Sequence, residues 1–117
     1  MTPTLKLTDL SNADGHRATE LAALLRDWES RGRPPMIVGG DFNQLASGPN
    51  YRTMTRSFND ALWKLSQIGW TCEHGLLKTR IDYLLTTKDW KPTAGGVINS
   101  DASDHRPIWV EVSRRTD

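Results

Sequence analysis

The sequence predicts an α/β fold, and three observations carry that prediction. Short apolar runs of strand length recur along the chain. They alternate with a long segment whose apolar residues fall at helical spacing. No internal repeat, linker or low-complexity tract interrupts the alternation, so the 117 residues read as one domain, residues 1–117, able to bury a modest core.

Taken in order, residues 4–10 alternate weakly and give a first strand. Residues 11–15 are turn chemistry, with Asp14 as the expected N-cap. Ala18, Leu21, Ala22, Leu25 and Trp28 then define an amphipathic helix over residues 15–30. Arg31 and Gly32 stop it, and Pro34-Pro35 prevents continuation. Met36-Ile37-Val38 is continuously apolar and reads as an interior strand covered on both faces. It ends in Gly39-Gly40, where the lack of side chains lets a backbone or ligand approach.

Residues 46–50 are loop. Tyr51, Met54, Phe58 and Leu62 suit one helical face, with a break near Asn59, and residues 67–77 read as irregular. Residues 80–86 form a clear strand, with Ile81, Tyr83 and Leu85 on one face and Arg80, Asp82 and Leu84 on the other. Residues 97–102 are a short strand or loop. Residues 107–112 are the last strand, with Ile108, Val110 and Val112 on one face, and residues 113–117 are a frayed charged tail.

Composition narrows the function classes only a little. Fifteen Lys plus Arg against fourteen Asp plus Glu, net +1, give no strongly basic nucleic-acid face and exclude no local patch. Cys72 is the only cysteine, so an internal disulfide is impossible and a reducing compartment is expected. No apolar run is long enough to span a bilayer and no signal-peptide pattern follows Met1, so a soluble, cytoplasmic protein without a membrane partner is expected. The five tryptophans are expected mainly in core or rim packing.

Three motifs carry the chemistry: Gly39-Gly40-Asp41-Phe42-Asn43, Arg80-Ile81-Asp82-Tyr83-Leu84-Leu85 and Ser103-Asp104-His105-Arg106-Pro107. Each places a carboxylate, amide or imidazole within or at the end of a strand-like run. Such groups hold a hard metal ion and hydrolyse phosphate esters. Asp41 and Asn43 stand just past a strand's C-terminal end, where ligands collect in α/β sheets. Asp41 is the candidate for activating or orienting water. His105 is the candidate donor to a phosphate oxygen, and a carboxylate partner would fix its tautomer and raise its basicity. Asp82 is costly in an apolar strand unless paired. Arg80 and Arg106 are candidate phosphate contacts, or structural arginines. His16 and His74 lie in turn-like segments and are expected to face solvent.

The order and spacing of the three motifs resemble the C-terminal half of the endonuclease/exonuclease/phosphatase superfamily, which includes exonuclease III-like and DNase I-like phosphodiesterases. The resemblance runs from about residue 4 to residue 112. It implies a mixed sheet with helices on one face, half of the four-layer DNase I-like α/β sandwich. It implies roles for Asp41 on water, Asn43 on the phosphate, Asp82 as partner of His105, and Asp104 at the metal or its water. The cofactor implied is Mg²⁺ or Mn²⁺, and the substrate class a phosphodiester, with nucleic acid (DNA) and a DNA-repair-type nuclease favoured.

The chain departs from the family pattern at two points. Its first residue falls after the place of the family's metal-binding Glu and of an Asn near the phosphate. In Leu7-Thr8-Asp9-Leu10, Asp9 stands where the family has a phosphate-site His or Tyr, as an added metal ligand or a plain strand-end carboxylate. A half-sandwich would leave several hundred Å² of apolar sheet face in water, at a cost on the order of 10 kcal/mol. A homodimer covering that face is therefore expected. The alternatives to an active nuclease are a half-domain that binds nucleic acid or a partner without turnover, or a fragment active only when complemented.

Overall fold

The computed structural model describes residues 13–42, 46–67 and 69–116, with side chains from residue 17 onward. The expected first strand with Asp9, and Asn43 in the first motif, lie outside the described residues. The chain divides into two compact units, Met1–Pro34 and Pro35–Asp117.

The first unit contributes helix α1 (Ala13–Ser30). It begins two residues before the expected start, so Asp14 lies in its first turn and is not its cap. The stop is a chain reversal: Gly32 takes φ 84°, Gly32 N–H donates to Glu29 O, and Arg33 N–H donates to Trp28 O at 2.9 Å. A residue without Cβ is needed for that left-handed step. Trp28 is buried, with its indole N–H donating to Pro34 O at 2.9 Å.

The second unit runs β1 (Ile37–Asp41), α2 (Pro49–Thr55), β2 (Asn59–Asp60), α3 (Ala61–Lys64), β3 (Cys72–His74), β4 (Leu77–Thr79), β5 (Asp82–Thr86), β6 (Trp90–Val97) and β7 (Ile108–Arg114). The α/β class is as expected. Every described ladder is antiparallel: a three-stranded sheet in the order β1-β5-β2, and the hairpins β3-β4 and β6-β7. No described helix is long and apolar enough to cross a membrane.

β5 is the spine of this unit. Tyr83 and Leu85 are fully buried on one face, as their alternation predicts. Met54, Phe58, Ala61 and Leu62 join them in the core, and the Phe42 and Tyr51 rings pack on Tyr83 with centroids 5.1 and 5.0 Å away. The expected break in the helical face near Asn59 is the short strand β2, which pairs with β5 before α3 begins. Asp60 ends β2 and caps α3, accepting from Trp63 N–H at 3.3 Å.

Three local expectations need correction. β1 is not covered on both faces: it is an edge among the described strands, and Ile37 is 44 % exposed. An apolar run alone does not separate a buried strand from a half-open one. The strand-end glycines agree with expectation at Gly39, where a Cβ would meet Leu84 Cδ2 at 3.0 Å, and leave open space at Gly40. The segment 67–77, expected to be irregular, holds β3 and the first residue of β4, a hairpin turned at Gly75 with φ 64°, in the first central position that a II′ turn reserves for glycine. The short strand or loop expected over residues 97–102 meets β6 only at Val97; β6 lies earlier, over Trp90–Val97, where Pro92, Gly95 and Gly96 argue against a strand. Pro92 stands beside a register irregularity, and a Cβ at Gly95 would meet Leu65, Leu62 and Trp109 O at 2.9–3.0 Å, so close packing of α3 requires that glycine.

Candidate active site

β1 and β5 bring the first two motifs together by register. Asp41 and Asp82 are direct partners across the ladder. Side chains of directly opposed residues lie on one face, so the two carboxylates share a surface. Buried Phe42 anchors the end of β1, with its N–H donating to Ile81 O at 2.9 Å and its ring against Tyr83. Asp41 is thus held at the rim while the next residue is pinned in the core.

The third motif reaches the same place through β3. Cys72 and His105 form an antiparallel bridge, flanked by Glu73 N–H to Asp104 O at 2.7 Å and Arg106 N–H to Thr71 O at 2.6 Å. His105 Nδ1 lies 2.8 Å from Asp82 Oδ2, and its Nε2 lies 3.8 Å from Asp41 Oδ2. The imidazole is therefore strung between the carboxylates of the other two motifs, tightly on one side and with a gap on the other. Its side chain is 35 % exposed, against 16 % for Asp82 and 39 % for Asp41. The cluster is open to solvent on the Asp41 side.

The hydrogen bond that His105 donates to Asp82 is the main reason the His105 pKa is raised above its ordinary 6.5. Burial pulls the other way, and the charges of Asp82, Asp41 and Asp104 add to the rise. Near neutral pH the imidazolium is thus better populated than in a free histidine, with both ring nitrogens as donors. Nδ1 serves Asp82, and Nε2 is directed to the open side.

The other candidates fall into different places. Asp104 is exposed, with Ser103 Oγ 3.1 Å from its Oδ1. It groups with Cys72 and His105, whereas Asp41 groups with Asp82 and His105; within each group the ligand atoms lie within 4.8 Å of one another. Arg106 stacks over Trp70 at 3.5 Å and donates to Asn99 at 2.8 Å. Arg80 is committed elsewhere: its Nη2 sits 2.7 and 2.6 Å from the two oxygens of buried Asp60, and its side chain is only 11 % exposed. The geometry therefore gives Arg80 a structural ion pair in place of an open phosphate contact. Exposed His74 agrees with its expected position.

Two positions were not singled out by the sequence reading as part of the site. Thr71 is fully buried, and its Oγ1 accepts from both Ile81 N–H and Asp82 N–H at 3.1 Å. Its own N–H donates to Thr79 O, and its carbonyl accepts from Arg106. One threonine thus ties β4, the start of β5 and the His105 segment together. Cys72, the first residue of β3, touches the cluster, and burial pushes its thiol pKa up. The one local signal was the Gly75 turn, which marks a hairpin and so makes residues 71–79 paired strands.

The donor set suits a hard divalent cation. Asp41 and Asp82 offer carboxylate oxygens in one group and Asp104 in the other, each beside His105, and Mg²⁺ commonly binds through one or two carboxylates plus waters.

Two solved structures share this architecture. An endonuclease/exonuclease/phosphatase from Bacteroides vulgatus superposes with a TM-score of 0.76 at 19 % identity, covering 87 % of this chain and 45 % of its own. A functionally unknown conserved protein from Enterococcus faecalis V583 gives 0.70 at 17 % identity, covering 85 % and 44 %. The chain thus spans less than half the length of these two structures. No curated protein matches. The pattern of the Endonuclease/Exonuclease/phosphatase family matches residues 6–105, which include all of the first two motifs and the third through His105. This chain belongs to the endonuclease/exonuclease/phosphatase family.

Proposed function

We propose that this chain carries the hydrolytic cluster of a divalent-metal-dependent phosphodiesterase, acting on DNA in the manner of a repair-type nuclease. The observation that carries the reading is the Asp82–His105–Asp41 line: one imidazole held at 2.8 Å on one side and separated by 3.8 Å from a second carboxylate on the other. Family membership supports hydrolysis of phosphate esters with a divalent cation. DNA as the substrate rests on the exonuclease III-like motif set alone.

Asp82 accepts from Nδ1 and fixes the ring, leaving Nε2–H to donate to a phosphate oxygen at the open side. Asp41, across the gap, orients the attacking water and takes its proton. Asn43, two residues on, contacts the phosphate; it and Asp9 lie outside the described residues. Asp41 and Asp104 are the residues that would hold Mg²⁺ or Mn²⁺. A bound cation would polarise a non-bridging phosphate oxygen.

A second reading, a fragment active only when complemented, is favoured by coverage of less than half of the two similar structures. Nicking of supercoiled plasmid, with and without an abasic site, in Mg²⁺ or Mn²⁺ and in EDTA separates the two. Cation-dependent nicking by this chain supports the first reading. No cleavage by a folded chain refutes it and leaves the second.

A further inference from the structure

We propose that Cys72, Asp104 and His105 form a second metal site, selective for a thiophilic divalent ion of the Zn²⁺ class and sharing His105 with the hydrolytic cluster. The juxtaposition is set by the isolated antiparallel bridge that ties the β6–β7 connection to β3. The hydrogen bonds flanking the Cys72–His105 bridge, Glu73 N–H to Asp104 O and Arg106 N–H to Thr71 O, leave Cys72 and His105 as a non-hydrogen-bonded pair. Of the two pair types in an antiparallel ladder, this one brings its side chains closer. Asp104 immediately precedes His105, and one ligand atom from each of the three residues lies within 4.8 Å of the other two.

Zn²⁺ bonds of about 2.0–2.3 Å place tetrahedral ligands about 3.5 Å apart. The three side chains therefore need to close by no more than about 1.3 Å to surround an ion, with water as a fourth ligand. The rest of the environment also fits. A histidine that ligates zinc commonly donates its other ring N–H to a carboxylate, and His105 Nδ1 already lies 2.8 Å from Asp82 Oδ2. Nδ1 is committed to Asp82, so the ligating role is assigned to Nε2.

Thiolate, imidazole and carboxylate select Zn²⁺ over Mg²⁺, which prefers oxygen ligands alone. The site shares Asp104 with the residues assigned to Mg²⁺ and differs from them in adding sulfur and nitrogen ligands. Zn²⁺ bound there occupies Nε2, the atom assigned to the phosphate, so it switches the hydrolytic cluster off. Only this last consequence rests on the proposed function.

The test uses the intact chain with Co²⁺ as the optical probe, and Zn²⁺ in competition with a chromogenic chelator. Circular dichroism checks that each variant is folded. The expected result is a sulfur-to-cobalt charge-transfer band that Zn²⁺ abolishes. The band disappears in Cys72→Ser and in Cys72→Ala, with zinc affinity falling at least about 10-fold. Asp82→Asn keeps the band but weakens Zn²⁺ by about 10–100-fold, as loss of a carboxylate behind a ligating histidine does. No charge-transfer band in the wild type, or zinc affinity unchanged in both cysteine variants, overturns the proposal. A charge-transfer band in a chain that cleaves nothing supports this site and counts against the hydrolytic reading alone. Where plasmid nicking is observed, micromolar Zn²⁺ is expected to inhibit the wild type and not Cys72→Ser; equal inhibition of both would contradict the shared-histidine arrangement.

Discussion

Two charged clusters stand two residues apart on the same stretch of chain, and they are built in opposite ways. Arg80 pairs with Asp60 in the interior, where side-chain exposure is 11 % and 3 %. Around them Tyr51 Oη–H donates to Asp60 at 2.8 Å, Trp63 N–H donates to it as well, and the Arg80 guanidinium lies 4.7 Å from the Tyr83 ring centroid. Burial, reinforced at Tyr51 by Asp60, pushes the phenols of Tyr51 and Tyr83 up to about 12, so both stay neutral donors. At Asp82, by contrast, the pair with His105 is one-sided and open. A buried charge must have its partners on the spot, whereas a catalytic one must keep a donor or acceptor unspent. Arg-x-Asp in this sequence thus holds one residue closed into a buried ion pair and one that faces a part-open cluster, although both are charged and sit in one apolar context.

The comparison is broken most directly in the buried cluster. Asp60→Ala strands the Arg80 charge among aromatic rings and is expected to cost about 3–5 kcal/mol in urea unfolding. A loss below 1 kcal/mol would mean that Arg80 finds water, and that the two clusters differ less than their exposure implies.

Thr71→Val tests how firmly the open cluster is fastened to the fold. It removes the acceptor for the Ile81 and Asp82 amides, at about 1–3 kcal/mol for each N–H left unpaired. It should also loosen Asp82 and lower kcat more than it raises KM. An unchanged rate would make Thr71 purely structural. Gly75→Ala forces a Cβ onto φ 64° and should cost about 1–2 kcal/mol through strain alone, since nothing lies within 4 Å of the new atom.

The smallest energetic effect is electrostatic. By NMR, the His105 ring should titrate above the ordinary 6.5, and Asp82→Asn should bring it down. The sign follows from the raised folded-state value. The His105 share of stability is fully present below the unfolded pKa of 6.5 and is lost as pH rises through the folded one. A wild-type midpoint at or below 6.5 would contradict the 2.8 Å contact.

What the sequence made legible follows the same division. β1, β5 and β7 were readable because each has an apolar run, and the residue types at their ends announced the chemistry. That Tyr83 and Leu85 face inward followed from simple alternation. β3-β4 stayed hidden because its strands are three residues long and mostly exposed, with Leu76 and Leu77 both in solvent. Its one marker, Gly75, is a single residue. β6 was obscured by Pro and Gly, residues that strands tolerate only where tertiary packing or a bulge calls for them. Arg80 was ambiguous because its partner, Asp60, is 20 positions away and reached only after the chain folds. The same long-range register brings Thr71 and Cys72 to His105, and no local pattern encodes it.

The most direct test of the account is cation-dependent plasmid nicking by His105→Ala measured beside its thermal unfolding. The account predicts a fold of nearly wild-type stability, because the open cluster contributes little to the core, and a rate lower by about 10²–10⁴-fold. Nicking retained at the wild-type rate by a folded His105→Ala chain would contradict it, and the Asp82–His105 pair would then be one more structural contact.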